Sequence, residues 1–306
     1  MTPSNKHVYV IAAIFNRRML ITLMMGFASG LPLLLTGSVL QAWMTEDGVD
    51  LKTIGLYALV GLPYTVKFLW APILDRYTPR LLGRRRGWLL ITQVSLIFSI
   101  VTLSLSQPAA SPLGVGLAAL LLTFFSASQD IVIDAYRREA LADNELGLGS
   151  SLYVNGYRVA MLLASGGGLI LADFMSFAQV YQLMAGVMLV GVATTIFAPE
   201  PDTPAGKPTS LGEAVFNPFL EYFRRRDALL ILFFILLYKV GDTMASNMTT
   251  PFYLDIGFSK TEIGAVVKIF GFWATLAGGF VGGLLLLRIG VFKGLWIFGF
   301  LQALST

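Results

Sequence analysis

Apolar residues in this chain come in long continuous runs, broken by short stretches that are polar or charged. A helix that crosses a bilayer needs about 20 mostly apolar residues. The pattern therefore predicts spans near 19–43, 53–75, 87–106, 113–135, 148–172, 178–198, 228–251 and 262–287, and the start of a ninth near 291. An earlier apolar run, near 8–15, is short and lacks an Ala-x-Ala exit before Arg17 and Arg18, so no cleaved signal peptide is expected.

Composition agrees with the pattern. Hydrophobic residues make up 56% and charged residues 13%, against about 25% charged in soluble domains. A soluble chain this apolar would expose large sticky patches, so the bilayer is its expected partner. The absence of cysteine excludes disulfides, thiolate metal sites and cysteine nucleophiles. With His7 as the only histidine, no metal site and no cofactor are expected.

Lysine and arginine set the orientation. With the N-terminus in the cytoplasm, sixteen fall in cytoplasmic segments, including Arg76, Arg80 and Arg84 to Arg86. Only Lys52 and Lys260 fall in outer loops. This bias predicts a multi-pass protein of the cell inner membrane with its N-terminus inside. It also explains the net charge of +4 without nucleic acid. A monomer is expected.

Three regions follow: a six-helix bundle over 1–198, a cytoplasmic linker over 199–227, and the start of a second bundle over 228–306. The stretch from Pro199 to Pro208 is polar and proline-rich and reads as linker. Leu211, Val215, Phe219 and Phe223 share one face at helical spacing, which favours an amphipathic helix on the inner leaflet over a plain linker. Gly48, Ile54 and Gly55 recur as Gly257, Ile263 and Gly264 at a constant shift of 209 residues. That shift maps span one onto span seven, so the repeat unit is six helices, and the second repeat is expected to be cut short at Thr306.

Charged groups inside spans cost about 2.5–3.5 kcal/mol each and are functional candidates. Lys67 and Asp130 lie at similar depths in spans two and four, eight and seven residues from the ends at Asp75 and Arg137. They form a candidate pair, with Asp130 either a proton carrier or one half of a structural bond. Arg158, near the middle of span five, needs an anion, a carbonyl or a ligand. Lys239 and Asp242 share a face of span seven and largely neutralise each other. Asp75, Arg84, Arg85, Arg86, Asp134 and Arg137 are expected to form a charge network that closes the cytoplasmic side. Gly26 and Gly30 form a GxxxG pair, and Gly166 to Gly168 a glycine run; both mark close helix packing. Kinks are expected at Gly30–Pro32 and Gly61–Pro63.

The segment from Asp75 to Arg86 (DRYTPRLLGRRR) resembles the signature loop of the major facilitator superfamily, which joins the second and third helices. Residues 61–77 (GLPYTVKFLWAPILDRY), 83–90 (GRRRGWLL) and 126–137 (SASQDIVIDAYR) look like the AmpG-type muropeptide permeases of Gram-negative bacteria. A related pattern occurs in acetyl-CoA transporters. The resemblance implies an all-α membrane protein of the major facilitator fold, with two six-helix repeats, the second truncated. It implies proton-coupled import of N-acetylglucosaminyl-1,6-anhydro-N-acetylmuramyl peptides for peptidoglycan recycling and β-lactamase induction. The partners would be muropeptide and proton. Peptide carboxylates would suit Lys67, Arg158 and Lys239, sugar rings would suit Tyr64, Tyr157 and Trp273, and Gln129 would join the substrate site.

Two other readings stay open. One is a transporter of acyl-CoA or drug-like solutes. The other is an intramembrane prenyltransferase holding Mg²⁺ between Asp130 and Asp134, although no second Asp-rich motif is present.

Overall fold

Three of the helices begin where a polar side chain can hold their first free amides. The Asn16 side chain accepts from the Arg18 amide at the head of span one. Asp50 accepts from the Thr53 amide at 3.0 Å at the head of span two. Ser176 and Gln179 form a reciprocal capping box at the head of span six. The computed structural model describes residues 16–202, 220–237, 240, 255–257 and 270–305, and all regular structure among them is helical. The chain divides into two compact units, Met1–Lys207 and Pro208–Thr306.

In the first unit span one is Arg17–Glu46, span three Arg84–Ser104, span four Pro112–Ala140, span five Leu146–Ala172 and span six Phe177–Phe197. These five, with Gly271–Ile289 of the second unit, are long and apolar enough to cross a membrane. Span two covers 51–76 but is broken into short α pieces by 3₁₀ stretches at Tyr57–Gly61 and Lys67–Leu69. Span one packs along span five, span three along spans four and six, and span two along span four. Leu31, Leu35, Leu96, Leu103, Leu122 and Tyr181 are fully buried between them. Phe98, Leu117 and Phe197 are exposed, as side chains facing lipid would be.

The GxxxG pair sets the closest approach in this unit. A β-carbon added at Gly26 would lie 2.1 Å from the Tyr153 carbonyl oxygen, and one at Gly30 would lie 2.2 Å from that of Tyr157. Gly156 reciprocates, since its added β-carbon would meet the Leu23 oxygen at 2.1 Å. The other glycine run behaves differently. Gly166 and Gly167 lie in a π turn, Leu163–Gly167, and an added β-carbon there meets only side chains of its own helix at 3.3 Å or more. Those two mark a local change of winding, whereas Gly168 is buried, and its added β-carbon would touch Val39 of span one and Val180 of span six at 3.6 Å.

The break in span one also lies later than expected. The helix continues through Pro32 to Leu34, and the disruption comes in the π turn Leu35–Val39, where Gly37 has φ −97° and ψ −112°. Proline removes the amide that would bond the carbonyl four residues earlier. Here that carbonyl belongs to Ala28, and it accepts from Gln129 Nε2 at 3.1 Å. The repair comes from span four, so the helix need not bend at Pro32. In span two, Gly61 and Pro63 do sit where a 3₁₀ stretch gives way to α-helix.

The described helices of the second unit include Ala228–Leu237, Gly271–Ile289 and Val291–Ser305. Residues 220–224 are helical, whereas 211–219 of the expected amphipathic helix lie outside the described residues. So do the early apolar run, Lys239, Asp242, Ile263 and Gly264. Gly48 and Gly257, the first pair of the repeat, both have positive φ, +78° and +97°.

Candidate functional site

Span four carries Asp130 into the interior of the first unit, where its side chain is 11% exposed. Ser29 of span one donates a hydrogen bond to Asp130 Oδ1. Lys67 Nζ of span two lies 3.9 Å from Oδ2. The lysine side chain is 33% exposed, so the pair has one shielded member and one that reaches open space. Tyr153 of span five places its hydroxyl 2.9 Å from Ser29 Oγ. Tyr64, one turn before Lys67, donates to Ser126 Oγ at 2.8 Å. Four helices thus meet around one carboxylate, which suits a site that changes charge or exchanges partners.

The other substrate candidates are placed differently. Gln129 is fully buried and occupied with the Ala28 carbonyl, so it props span one and faces no open site. Its Oε1 has no partner among the described residues. Tyr157 is partly buried, with its ring 6.2 Å from that of Tyr153. Arg158 is exposed, on the face of span five that also carries exposed Val154 and Leu162. Trp273 is 64% exposed within the second unit. Lys239 lies outside the described residues.

The arginine loop forms a second charged centre. The chain turns through Leu82 and Gly83, at φ +62° and +87°, before span three begins at Arg84. Arg84 and Arg85 are buried. Arg85 bonds Asp75 at 2.7 Å and grips Glu139 through Nε at 2.9 Å and Nη2 at 2.6 Å. Arg84 shares Glu139 at 3.0 Å. The backbone amides of Arg85 and Arg86 donate to the two carboxylate oxygens of Glu200, at 2.8 and 2.9 Å. A carboxylate at a helix N-terminus satisfies free amides and faces the positive end of the helix dipole. Arg86 in turn donates to the Thr195 and Ile196 carbonyls at the end of span six. Asp134 and Arg137 stand apart from this centre: they pair with each other at 3.2 Å, and Arg137 lies over the Tyr153 ring, 4.5 Å from its centre.

Comparison with known proteins gives this chain a family. Residues 11–306 match the model of the Major Facilitator Superfamily. The chain belongs to that superfamily. Among curated relatives, the anhydromuropeptide permease of Escherichia coli K12 is 45% identical over 291 residues, covering 94% of this chain and 59% of the relative. An uncharacterized protein of Haemophilus influenzae is 42% identical over 297 residues, covering 95% of this chain and 70% of the relative. A putative transporter AmpG 4 of Rickettsia conorii is 33% identical over 291 residues, covering 92% and 70%. The chain thus spans about three fifths of the E. coli permease. It is an all-α membrane protein of the major facilitator fold.

Within that superfamily fold, the sequence reading missed Glu139, Glu200, Ser29 and Tyr136. Glu139 lies on the last turn of span four, where acidic residues usually meet solvent. Glu200 lies in the stretch read as linker, yet Pro199 and Glu200 are held against the bundle, because Tyr136 donates to the Pro199 carbonyl at 2.9 Å. The one usable signal is numerical: the expected network sets only two carboxylates, Asp75 and Asp134, against four arginines, Arg84, Arg85, Arg86 and Arg137. The prenyltransferase arrangement does not form. Asp130 faces Ser29 and Lys67, whereas Asp134 faces Arg137. Among the described residues no acidic or histidine cluster suits a metal ion.

Proposed function

We propose that this protein imports anhydromuropeptides across the inner membrane together with a proton, feeding peptidoglycan recycling and β-lactamase induction. The similarity to the E. coli anhydromuropeptide permease along 94% of this chain carries the substrate assignment. The proton assignment follows from Asp130, a nearly buried carboxylate whose cation partner is the more exposed member of the pair. The excess of lysine and arginine in alternate loops supports a cytoplasmic N-terminus.

The mechanism is alternating access, in which the site opens first to one side of the membrane and then to the other. Lys67 is the hinge of the chemistry. An incoming peptide carboxylate competes with Asp130 for the ammonium. Once Lys67 turns to the substrate, Asp130 is a buried anion without its cation, and taking up a proton removes that penalty. Release of substrate returns Lys67 to Asp130 and drives the proton off. Arg158 and Tyr157 extend the substrate site within the first unit, with Tyr64 as a further contact for the sugars. Asp75 with Arg84, Arg85 and Glu139 closes the cytoplasmic side, and Arg86 anchors the turn to span six.

The test is uptake of radiolabelled anhydromuropeptide by energised right-side-out vesicles from cells expressing the complete gene product. Uptake abolished by a protonophore and by Asp130→Asn supports the reading. Uptake that survives Asp130→Asn removes Asp130 from coupling and leaves the substrate standing. A folded protein with no uptake overturns the substrate and brings acyl-CoA or drug-like solutes forward.

A further inference from the structure

Asp130 does not stand alone on its shielded side. Ser29 has a single hydroxyl proton, and that proton is given to Asp130 Oδ1. The Tyr153 hydroxyl lies 2.9 Å from the same Ser29 oxygen. With Ser29 donating to Asp130, Tyr153 is the donor in that contact. The result is an unbroken chain, Tyr153 to Ser29 to Asp130, running from a partly exposed phenol to a nearly buried carboxylate. Glycine at positions 26, 30 and 156 makes it possible, because only the backbone contact between spans one and five brings Tyr153 within reach of Ser29.

The surroundings give the chain a direction. Lys67 of span two approaches the other carboxylate oxygen of Asp130, Oδ2, while Ser29 holds Oδ1. The Tyr153 ring is instead covered by Arg137, which is paired with the exposed Asp134 one turn along span four. One end of the chain therefore faces the cation that binds Asp130, and the other faces an exposed ion pair near the end of the helix.

We infer that Ser29 and Tyr153 are a two-hydroxyl relay through which the proton on Asp130 leaves toward the Asp134–Arg137 end of the bundle. This rests on the reading that Asp130 carries the coupled proton. Protonated Asp130 gives its proton to Ser29 Oγ as Ser29 passes its own to the Tyr153 oxygen and Tyr153 releases its own to a water at that end. Each hydroxyl finishes with one proton, and one proton has moved from the carboxyl group to water. Reversal of the three hydrogen bonds then resets the chain. Both hydroxyls are positioning groups for proton movement, and neither needs to touch substrate.

The test separates proton movement from substrate movement. Tyr153→Phe keeps the ring under Arg137 and removes only the hydroxyl, and Ser29→Ala removes the middle member. Both are measured in vesicles carrying the complete gene product, with radiolabelled anhydromuropeptide as probe. Proton-driven uptake is compared with exchange between equal substrate pools, which needs binding and rocking but no net proton transfer. Uptake in both variants is expected to fall by about tenfold or more, with exchange within about twofold of the parent, as for the loss of a general acid–base group. Equal loss of uptake and exchange would make the hydroxyls structural and overturn the relay, as would unchanged uptake. If Asp130→Asn abolishes uptake while Tyr153→Phe spares it, the relay alone fails. If Asp130→Asn itself spares uptake, the assignment of the proton to Asp130 fails, and the relay with it.

Discussion

The carboxylate of Glu200 accepts the backbone amides of Arg85 and Arg86, so the chain leaving span six caps the helix that begins span three. Gly83 makes room for it: an added β-carbon there would lie 2.7 Å from the Glu200 carboxyl carbon. Glu200→Ala is expected to destabilise the protein by about 1–2 kcal/mol, the worth of a charged helix cap. Gly83→Ala is expected to match or exceed this, because it also places a side chain at φ +87°. Thermal unfolding in detergent, read alongside uptake, measures both.

Glu139 is shared by two buried arginines. Glu139→Gln leaves Arg84 without a counter-ion and Arg85 with Asp75 alone, at an expected cost of about 3 kcal/mol. Asp75→Asn should cost less, because Asp75 is about half exposed and contacts one arginine. The order Glu139 above Asp75, measured by thermal unfolding, is the content of the prediction. The reverse order would mean that the carboxylate at the end of span two holds the turn.

Lys67→Met strands Asp130 and is expected to lower both stability and uptake. Combining it with Asp130→Asn removes the buried charge and should recover the folded yield while uptake stays absent. Size-exclusion profiles and vesicle uptake separate the two effects. A double variant that folds no better than Lys67→Met would show that the pair contributes more than charge balance.

Gln129→Leu removes the donor that satisfies the Ala28 carbonyl, at an expected cost of about 1 kcal/mol. Pro32→Ala supplies the missing amide in the helix itself. In the Pro32→Ala background Gln129→Leu should therefore be closer to neutral, and the double-mutant cycle reads the difference. Equal costs in both backgrounds would separate Gln129 from the proline.

Helix positions and the approach of Lys67 to Asp130 were legible in the sequence, because each depends on counting residues along a regular helix. Both residues sit about seven or eight positions from a charged helix end, and equal rise per residue puts them level. What was not legible depends on faces and on chain that leaves the helices. Gln129 adjoins Asp130 in sequence, and both meet span one, yet the Gln129 amide is spent on the Ala28 carbonyl while Asp130 also faces Lys67 of span two. Asp134 resembled a latch residue by position but bonds its own helix. Glu200 looked like linker because composition records polarity and proline, not where a single carboxylate docks. The break in span one does not fall at proline, because a side chain from span four satisfies the carbonyl that Pro32 leaves free.

Span two has two tight stretches, Tyr57–Gly61 and Lys67–Leu69. A 3₁₀ turn rises about 2.0 Å per residue and an α turn about 1.5 Å, so rewinding these eight residues would shorten the helix by about 4 Å. Lys67 opens the second stretch, and Asp75, held by Arg85, lies one short α-helix beyond it. Only the second of these stretches lies between the ion pairs of Lys67 and Asp75, so rewinding it would shorten the helix between the two pairs by about 1.5 Å.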